Sequence, residues 1–370
     1  MYSPKYTISN QILKSIGLIE ACREVVENAP LIPAYERQFQ DEARARTVHH
    51  GTHIEGNDLS FTQAERVMMH ARVETDSEKV AAKAQVVAKD RDIQEIINYR
   101  IVMEHVDDLF SRSLEKESNY TETMIKNLHK MTVHKIVSEE VAGHYRQTQV
   151  VLKDSRTGEV TFRPPPAVEV TYLMEDFMEW INSKSGRDIH PVIRAGIAHY
   201  VLAAIHPFVE GNGRTARAFA TLVLFVEEYD IKRLFSLEEY FDRDAESYYR
   251  ALITTSNQSR DLADRDLTLW LEYFVQGLSI ELDKVREKVR KLSVDTRIKI
   301  KRGQQVLLSE RQIKIVEYLS ANNRGGMSEF RTLLPMVSED TVLRELQDLV
   351  GKNIIKKKGK TKGSYYELVT

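Results

Sequence analysis

The stretch that decides the fold is His206-Pro207-Phe208-Val209-Glu210-Gly211-Asn212-Gly213-Arg214-Thr215-Ala216-Arg217. An apolar run over 193–205 precedes it and another over 219–226 follows it, so the sequence places a polar loop between two buried helices. Gly211, Asn212 and Gly213 can take left-handed backbone angles or turn their amides towards one point. With the N-terminus of the second helix, these amides predict an anion site that has a histidine beside it.

The same residues resemble the signature of the Fic (filamentation induced by cAMP) domain family, HPFx(D/E)GNGRxxR, at every position from His206 to Arg217. At ordinary residue frequencies, a chance match to so many fixed positions is on the order of one in 10^8 or rarer. Proteins of this family usually transfer AMP from ATP to a protein hydroxyl. The resemblance therefore implies a mainly α-helical Fic core with a β-hairpin flap, and a protein adenylyltransferase that uses ATP.

The resemblance also implies a role for each loop residue, and each residue type suits its role. His206, with an ordinary pKa of about 6.5, is the expected general base for a Ser, Thr or Tyr hydroxyl. Glu210 is the expected ligand of Mg²⁺, a cation that prefers oxygen ligands. The residues expected to contact the nucleotide phosphates are Gly211, Asn212, Gly213, Arg214 and Arg217.

A second motif lies earlier in the chain, at Ile54-Glu55-Gly56-Asn57. It resembles the inhibitory motif of the Fic class whose regulatory helix precedes the core, [S/T]xxxE[G/N]. Glu55 takes the position of the glutamate, whereas Gly51 stands where the motif has Ser or Thr. A carboxylate paired with Arg217 would occupy the guanidinium that a γ-phosphate needs, which implies autoinhibition. The alternative is a solvated acid at a helix end.

Residues 143–166 break the helical pattern, because short apolar runs flank a turn-rich sequence from Lys153 to Glu159. This pattern predicts a β-hairpin. Fic proteins carry their flap at this place, and the flap holds a segment of the target protein by strand addition. A purely structural hairpin is the alternative. Val150 and Val151, at the start of the hairpin, are expected to contact the nucleotide.

Aromatic residues cluster between Tyr240 and Tyr249, and core packing is their ordinary role. In the Fic family, a Tyr-Tyr pair and an Asn some eight or nine residues later lie near the adenosine end of the nucleotide. The matching residues here are Tyr248, Tyr249 and Asn257.

Pattern and charge divide the chain into three predicted regions. Residues 1–115 form an N-terminal helical region that carries the inhibitory segment, with one long helix predicted over 78–110. Residues 116–295 form the catalytic core. Residues 296–370 hold 15 Lys and Arg against 8 Asp and Glu, whereas the whole chain has a net charge of −2.

The third region resembles a winged helix-turn-helix domain. Helices are predicted over 309–320, 327–334 and 338–350, with a Gly-Gly turn after the first helix and two strands around the lysine-rich stretch 357–363. These lysines suit DNA phosphates, which predicts DNA binding through 296–370. The presumed recognition helix is acidic, so a protein-binding or dimerising module is the alternative.

Composition indicates the class of protein and the compartment in which it occurs. With 42% hydrophobic and 29% charged residues among 370, the chain has an ordinary globular composition. The single cysteine, Cys22, excludes an internal disulfide and predicts a reducing compartment. The sequence shows no signal peptide, and no uncharged apolar run approaches the ~20 residues that span a bilayer. We therefore predict a cytoplasmic protein without a membrane partner.

Other functions stay open on the sequence. A Fic enzyme can transfer another phosphate-containing group, or remove AMP with Glu55 activating a water. A protein of another class, a DNA-binding regulator, would use its Fic core to sense nucleotide or to modify itself. The target protein is also open, as is assembly into a homo-oligomer.

Overall fold

The structure, a computed structural model, describes residues 2–29, 33–113, 119–153, 158–300, 308–335, 337–359 and 364–369. Helices account for most of these residues, and the strands form two small antiparallel sheets. The predicted mainly α-helical class is therefore confirmed. Two compact units divide the chain, Met1–Val289 and Arg290–Thr370. The predicted boundaries at 115 and 295 stay predictions.

The first unit contains most of the helices and one two-stranded sheet, and its last helix continues past the boundary at Val289. In chain order its helices and strands are α1 Asn10–Glu27, α2 Pro33–His53, α3 Phe61–His70, α4 Ser77–Ala84, α5 Asp90–Ser113, α6 Glu122–Thr132, β1 Leu152–Lys153, β2 Val160–Phe162, α7 Val170–Asn182, α8 Lys184–Arg187, α9 Pro191–Ile205, α10 Asn212–Val226, α11 Leu237–Arg243, α12 Ala245–Ser256 and α13 Thr268–Ile300.

The single helix predicted over 78–110 is wrong, because α4 and α5 are separate helices there. Gln85 follows α4 with a left-handed backbone (φ 53°, ψ 45°) and ends it. Apolar spacing gave no sign of this break, since Val80 and Ile93 are buried on either side of it.

The two helices that flank the signature loop form the centre of the first unit. Almost all residues of α9 and α10 are buried, as the two apolar runs predict. Gly196 in α9 lets α13 approach closely, because a Cβ there would lie 2.9 Å from a ring carbon of Phe274. Trp270 then donates a 2.7 Å hydrogen bond from its indole to the Gly196 carbonyl. Each fully buried large apolar side chain contributes about 1.5–3 kcal/mol to the stability of this core.

The predicted hairpin is present at β1 and β2. These strands pair antiparallel, with Leu152 opposite Phe162 and Lys153 opposite Val160. The turn at 154–157 lies outside the described residues. Among the described residues, no helix combines the length and apolar character that a membrane crossing requires.

The second unit has its own small core. Its elements are α14 Glu310–Asn322, β3 Gly325–Gly326, α15 Met327–Leu333, α16 Glu339–Gly351, β4 Ile355–Lys358 and β5 Tyr365–Leu368. Leu319, Phe330 and Leu346 are buried at its centre. This order of helices and strands agrees with the predicted one.

One detail of the second unit differs from the prediction. Gly325 and Gly326, expected in a turn, form β3 and pair with β5 in a sheet of order β3-β5-β4. A Cβ on Gly325 would lie 2.9 Å from the rings of Tyr318 and Phe330, so only glycine lets the strand pass so close.

The basic face of the second unit is partly neutralised. Lys356 and Lys358 both lie 3.1 Å from the carboxylate of Glu367 on the neighbouring strand. A third lysine of this strand, Lys357, is exposed, and its ammonium lies 6.0 Å from the centroid of the Tyr366 ring. Lys360 and Lys362 of the predicted wing lie outside the described residues. The two ion pairs to Glu367 therefore reduce the positive charge that this strand pair offers to phosphates.

Buried histidines make the first unit sensitive to acid. Burial lowers the pKa of His129 to about 4 and that of His199 well below its ordinary value. Because the unfolded chain binds a proton near pH 6.5 and the folded protein does not, stability falls as the pH drops from about 6.5 towards about 4. The loss is about 1.4 kcal/mol per pH unit for each such histidine. We expect the melting temperature, measured by circular dichroism, to fall steeply between pH 7 and pH 5.

The control is His134→Gln, since His134 is exposed and should leave this dependence unchanged. A melting temperature that stays constant from pH 7 to pH 5 would contradict the assignment.

Candidate active site

His206 leaves α9 in a conformation that points its ring into a pocket. Its backbone is left-handed (φ 52°, ψ 59°), which ends the helix. Nδ1 lies 3.3 Å from the carbonyl oxygen of Ala203, which can only accept, so Nδ1 carries the proton and Nε2 keeps its lone pair. Burial lowers the pKa of His206 to about 4, so the imidazole is neutral near pH 7. Nε2 can therefore accept a proton.

The pocket beside His206 has a volume of about 580 Å³. Its walls are formed by the segment that carries Glu55, the hairpin, α9, α10 and α12. Predicted site residues among the described ones that line it are Glu55, His206, Gly213, Tyr248 and Tyr249. Val150, Val151 and Asn257 are not among the lining residues. Val150 and Val151 are half-buried before β1, and Asn257 caps the end of α12.

The signature loop closes on itself through one side chain. The Asn212 amide accepts a hydrogen bond from the Phe208 amide (2.9 Å) and donates one to the Phe208 carbonyl (2.9 Å). Gly211 has a φ of 76°, and a Cβ there would lie 2.6 Å from Val133. Both observations explain why these residue types stand at these positions.

Arg146 anchors the loop from outside, and sequence analysis missed it. Its guanidinium is buried and donates to the carbonyls of His206 (2.8 Å) and Pro165 (2.6 Å), while its backbone amide donates to Pro207 (2.9 Å). It thus connects the chain after the hairpin to the signature loop. Its position 60 residues before His206 gave no local signal.

His129 supports the loop from the other side and was also missed. Its ring stacks on Phe208 with centroids 3.7 Å apart. Nδ1 accepts a hydrogen bond from the Gly143 amide (2.9 Å), so Nε2 carries the proton and donates to the Glu210 carbonyl (2.8 Å). A neutral imidazole is the form these two partners require, in agreement with its lowered pKa.

Glu55 reaches the position where the sequence predicts an anion. The Arg217 guanidinium donates to Glu55 Oε1 at 2.9 Å. A Cβ on Gly213 would collide with the same carboxylate oxygen, so only glycine at the start of α10 admits it. Burial opposes the charge on Glu55, but Arg217 and Arg214 outweigh this effect and lower its pKa. The carboxylate is therefore ionised in a site built for an anion.

The rest of the Arg217 guanidinium is held by α2 and α12. It donates to the Gly51 carbonyl at 2.8 Å and lies 3.5 Å from the Tyr248 hydroxyl. The ring of Tyr99 occupies the space where a side chain at 51 would lie, and its hydroxyl donates to Glu238 at 3.0 Å. The departure from Ser or Thr at Gly51 therefore has a steric cause.

Further contacts hold the segment that carries Glu55. His50 and His53, at the end of α2, each place Nδ1 within 2.9 Å of the Asp242 carboxylate on α11. Tyr249 donates from its hydroxyl to the Ile54 carbonyl at 3.0 Å. The segment that carries Glu55 is thus attached to both α11 and α12.

Glu210 and Arg214 belong to a cluster of charged side chains that also includes residues of α5. Glu210 contacts Arg91 of α5 and lies 3.8 Å from Arg214. Arg214 also lies 3.3 Å from the buried carboxylate of Glu95. Sequence analysis missed both Arg91 and Glu95, because each comes from a helix more than a hundred residues away.

A divalent cation would bind to Glu210 in this site, with phosphate oxygens and waters as its other ligands. Among the described residues, no group of three or more His, Cys, Asp or Glu side chains could hold a metal ion. Glu210 supplies one partly exposed carboxylate in the signature loop. One carboxylate, completed by phosphate oxygens and waters, is the donor set that Mg²⁺ commonly uses. The residues present therefore fit Mg²⁺ bound together with phosphates.

The geometry agrees with the comparison to known families. Residues 119–224 match the Fic/DOC family. A Fic family protein from Desulfovibrio desulfuricans G20 has a similar structure, with a TM-score of 0.63 and 22% identity over 100% of this chain and 98% of that chain. A Fic domain-containing signaling protein from Bacteroides thetaiotaomicron gives a TM-score of 0.59 at 22% identity, over 77% and 97% of the two chains. Residues 119–224 are therefore similar to the Fic/DOC family, and the fold of the chain is similar to that of these solved structures.

Curated proteins with similar sequences are named after an enzymatic activity. The protein adenylyltransferase Fic of Drosophila grimshawi is 29% identical over 193 residues, which are 52% of this chain and 35% of that protein. The match thus covers about a third of the relative's length. This chain is similar to that protein over about half of its own length.

The contacts of Arg146 predict how the loop responds to a change there. We expect Arg146→Lys to reduce the free energy of unfolding by about 2–4 kcal/mol, because a single ammonium cannot reach the separate carbonyls of His206 and Pro165 that the guanidinium spans. For an AMP-transfer activity at this site, the rate would fall mainly through kcat, since His206 loses its backbone anchor. Denaturant unfolding and steady-state kinetics measure the two effects.

Arg163→Lys is the matched control, because Arg163 is exposed in the chain that follows the hairpin. If Arg146→Lys matched that control in both measurements, the anchoring role would be wrong.

Proposed function

We propose that this protein is a protein adenylyltransferase that moves AMP from ATP to a Ser, Thr or Tyr hydroxyl, and that Glu55 inhibits it. The observation that carries the proposal is the Glu55–Arg217 pair beside His206. A carboxylate oxygen lies 2.9 Å from a guanidinium at the start of α10, next to a histidine whose Nε2 can accept a proton. A site of this kind suits phosphates and a hydroxyl nucleophile.

The chemistry follows from the positions of these groups. His206 Nε2 takes the proton of the target hydroxyl as its oxygen forms a bond to the α-phosphorus of ATP. The bond between that phosphorus and the bridging oxygen breaks, and pyrophosphate leaves. Arg214 and Arg217 stabilise the charge on the departing phosphates. Mg²⁺ held by Glu210 would neutralise part of the same charge when bound.

The geometry also supports a way to hold the nucleotide and the target. Tyr248 and Tyr249 line the pocket on the side of α12, where an adenosine ring would meet aromatic surface. The hairpin strand β1 borders the pocket through Leu152 and Lys153. An extended target segment can pair with such a hairpin through main-chain hydrogen bonds, which brings its hydroxyl towards His206.

Inhibition by Glu55 follows from competition for Arg217. A γ-phosphate and the Glu55 carboxylate need the same guanidinium, and both carry negative charge. Only when Glu55 moves away can the triphosphate bind in the orientation that aligns the α-phosphate with the target hydroxyl. In this arrangement the resting protein binds ATP weakly.

Replacing Glu55 tests the inhibition. We expect Glu55→Gly to tighten ATP binding by about ten- to hundredfold and to raise AMP transfer, because a charge-assisted hydrogen bond contributes about 1.5–3 kcal/mol. Isothermal titration calorimetry measures the affinity, and transfer of label from α-labelled ATP measures the activity.

Asp58→Gly is the control, since it removes an exposed acid three residues away that pairs with Lys89. Equal activity and affinity in Glu55→Gly and wild type would refute inhibition. Transfer of label from γ-labelled but not from α-labelled ATP would show that the protein transfers another group of ATP instead of AMP.

Replacing His206 and varying the pH test the base. In the Glu55→Gly background, His206→Ala should abolish AMP transfer but leave ATP binding nearly unchanged. A neutral imidazole is the active form, and the pKa of His206 is about 4, so activity should fall only as the pH approaches that value. The rate at pH 5.5 should stay within about twofold of that at pH 7.5, whereas a histidine with an ordinary pKa would lose about tenfold. A tenfold loss by pH 5.5 would contradict the lowered pKa.

A further inference from the structure

The proposed metal ligand Glu210 already has a cation next to it. Its side chain is 32% exposed, and its Oε1 contacts the guanidinium of Arg91. Arg214 is a more distant neighbour, with Nη2 at 3.8 Å from the same oxygen. The nearest positive charge to Glu210 therefore comes from α5, outside the signature loop.

Arg91 is held in this position by a second carboxylate. Its Nε lies 3.3 Å from Oε1 of Glu95, one helical turn later in α5. Glu95 is buried, and its other oxygen accepts a 3.0 Å hydrogen bond from the Asn57 amide. Because Glu95 is buried and bound to Asn57, its position is fixed. It therefore holds the Arg91 guanidinium next to Glu210 through a contact that does not involve the signature loop.

The guanidinium of Arg91 can nevertheless move away from Glu210. Its side chain is 55% exposed, so a guanidinium displaced from Glu210 can become hydrated with little loss of free energy. Arg214 cannot do the same, because its side chain is buried and it stays against Glu95. The two arginines next to Glu210 therefore differ in function: one is fixed and one is displaceable.

We propose that Arg91 occupies the cation position of the resting site and that a divalent cation must displace it from Glu210. The inference rests on the proposed function, in which Glu210 binds Mg²⁺ together with ATP. A guanidinium and a divalent cation compete for Glu210, because both are attracted by the same carboxylate charge and the two positive charges repel each other. Arg91 is thus a positioning residue that weakens binding of a cation alone.

The same site would then contain two internal substitutes for its substrate. Glu55 places a carboxylate where a phosphate would bind, and Arg91 places a positive charge where the cation would bind. Asn57, two residues after Glu55, reaches Glu95, which also holds Arg91. A complex of cation and triphosphate supplies both charges at once, whereas free cation or free nucleotide supplies one.

Binding of Mn²⁺ to the wild-type protein and its variants tests the proposal without any turnover. We expect Arg91→Gln to bind Mn²⁺ about two- to fivefold more tightly than wild type, as measured by electron paramagnetic resonance of free Mn²⁺. Lys89→Gln is the matched control, because it removes a charge two residues away that pairs with Asp58 and should change the affinity little. Glu210→Ala should abolish the binding that Arg91→Gln strengthens. Circular dichroism melting verifies that each variant is folded.

Three results would overturn the proposal: unchanged or weaker Mn²⁺ binding in Arg91→Gln, an equal gain in Lys89→Gln, or binding that survives in Glu210→Ala. AMP transfer from α-labelled ATP by the Glu55→Gly protein is measured separately. Its absence alongside tighter Mn²⁺ binding in Arg91→Gln would refute the proposed activity but keep the displacement of Arg91. Transfer without a change in Mn²⁺ affinity would refute only the displacement.

Discussion

The buried guanidinium of Arg217 is the constraint on which the rest of the site depends. A charge taken out of water costs several kcal/mol unless it is paired and hydrogen-bonded, so this arginine must have an anion and further acceptors near it. Glu55 supplies the anion, and the Gly51 carbonyl supplies another acceptor. Glycine at 213 leaves room for the carboxylate, which lies where a side chain at that position would be. The residue types at 51, 55 and 213 are thus related to the burial of one charge.

The signature loop before α10 obtains its shape from residues that take no part in the proposed chemistry. Asn212 closes the loop on Phe208, Arg146 holds the carbonyl of His206, and His129 holds the carbonyl of Glu210. Each bond engages a backbone group that a short loop between buried helices could not satisfy internally. With the loop fixed on both sides, His206 and Glu210 keep their positions in the absence of substrate, which is the preorganisation that electrostatic catalysis needs.

Much of this arrangement could be predicted from the sequence, for a physical reason. The signature residues act locally, so a loop between two apolar runs already indicated the anion site, the histidine and the helices around them. Arg146, His129, Arg91 and Glu95 could not be predicted, because their roles arise from contacts across 60 residues or more that leave no periodic pattern. Gly51 was an unexplained departure until the ring of Tyr99 was seen in its place. The helix break at Gln85 was missed because the apolar positions continue across it.

The Glu55–Arg217 ion pair, which would inhibit the proposed reaction, also stabilises the resting fold. If Glu55 moves away with no phosphate present, Arg217 stays buried and keeps neutral partners such as the Gly51 carbonyl and the more distant Tyr248 hydroxyl. An uncompensated buried charge is strongly unfavourable, so the open state is stable only when another anion replaces the carboxylate. Regulation in this design needs no separate switch element. In the proposed function, a phosphate of the nucleotide would take the place of the Glu55 carboxylate at Arg217, and the affinity for ATP would be the difference between two interactions with the same guanidinium.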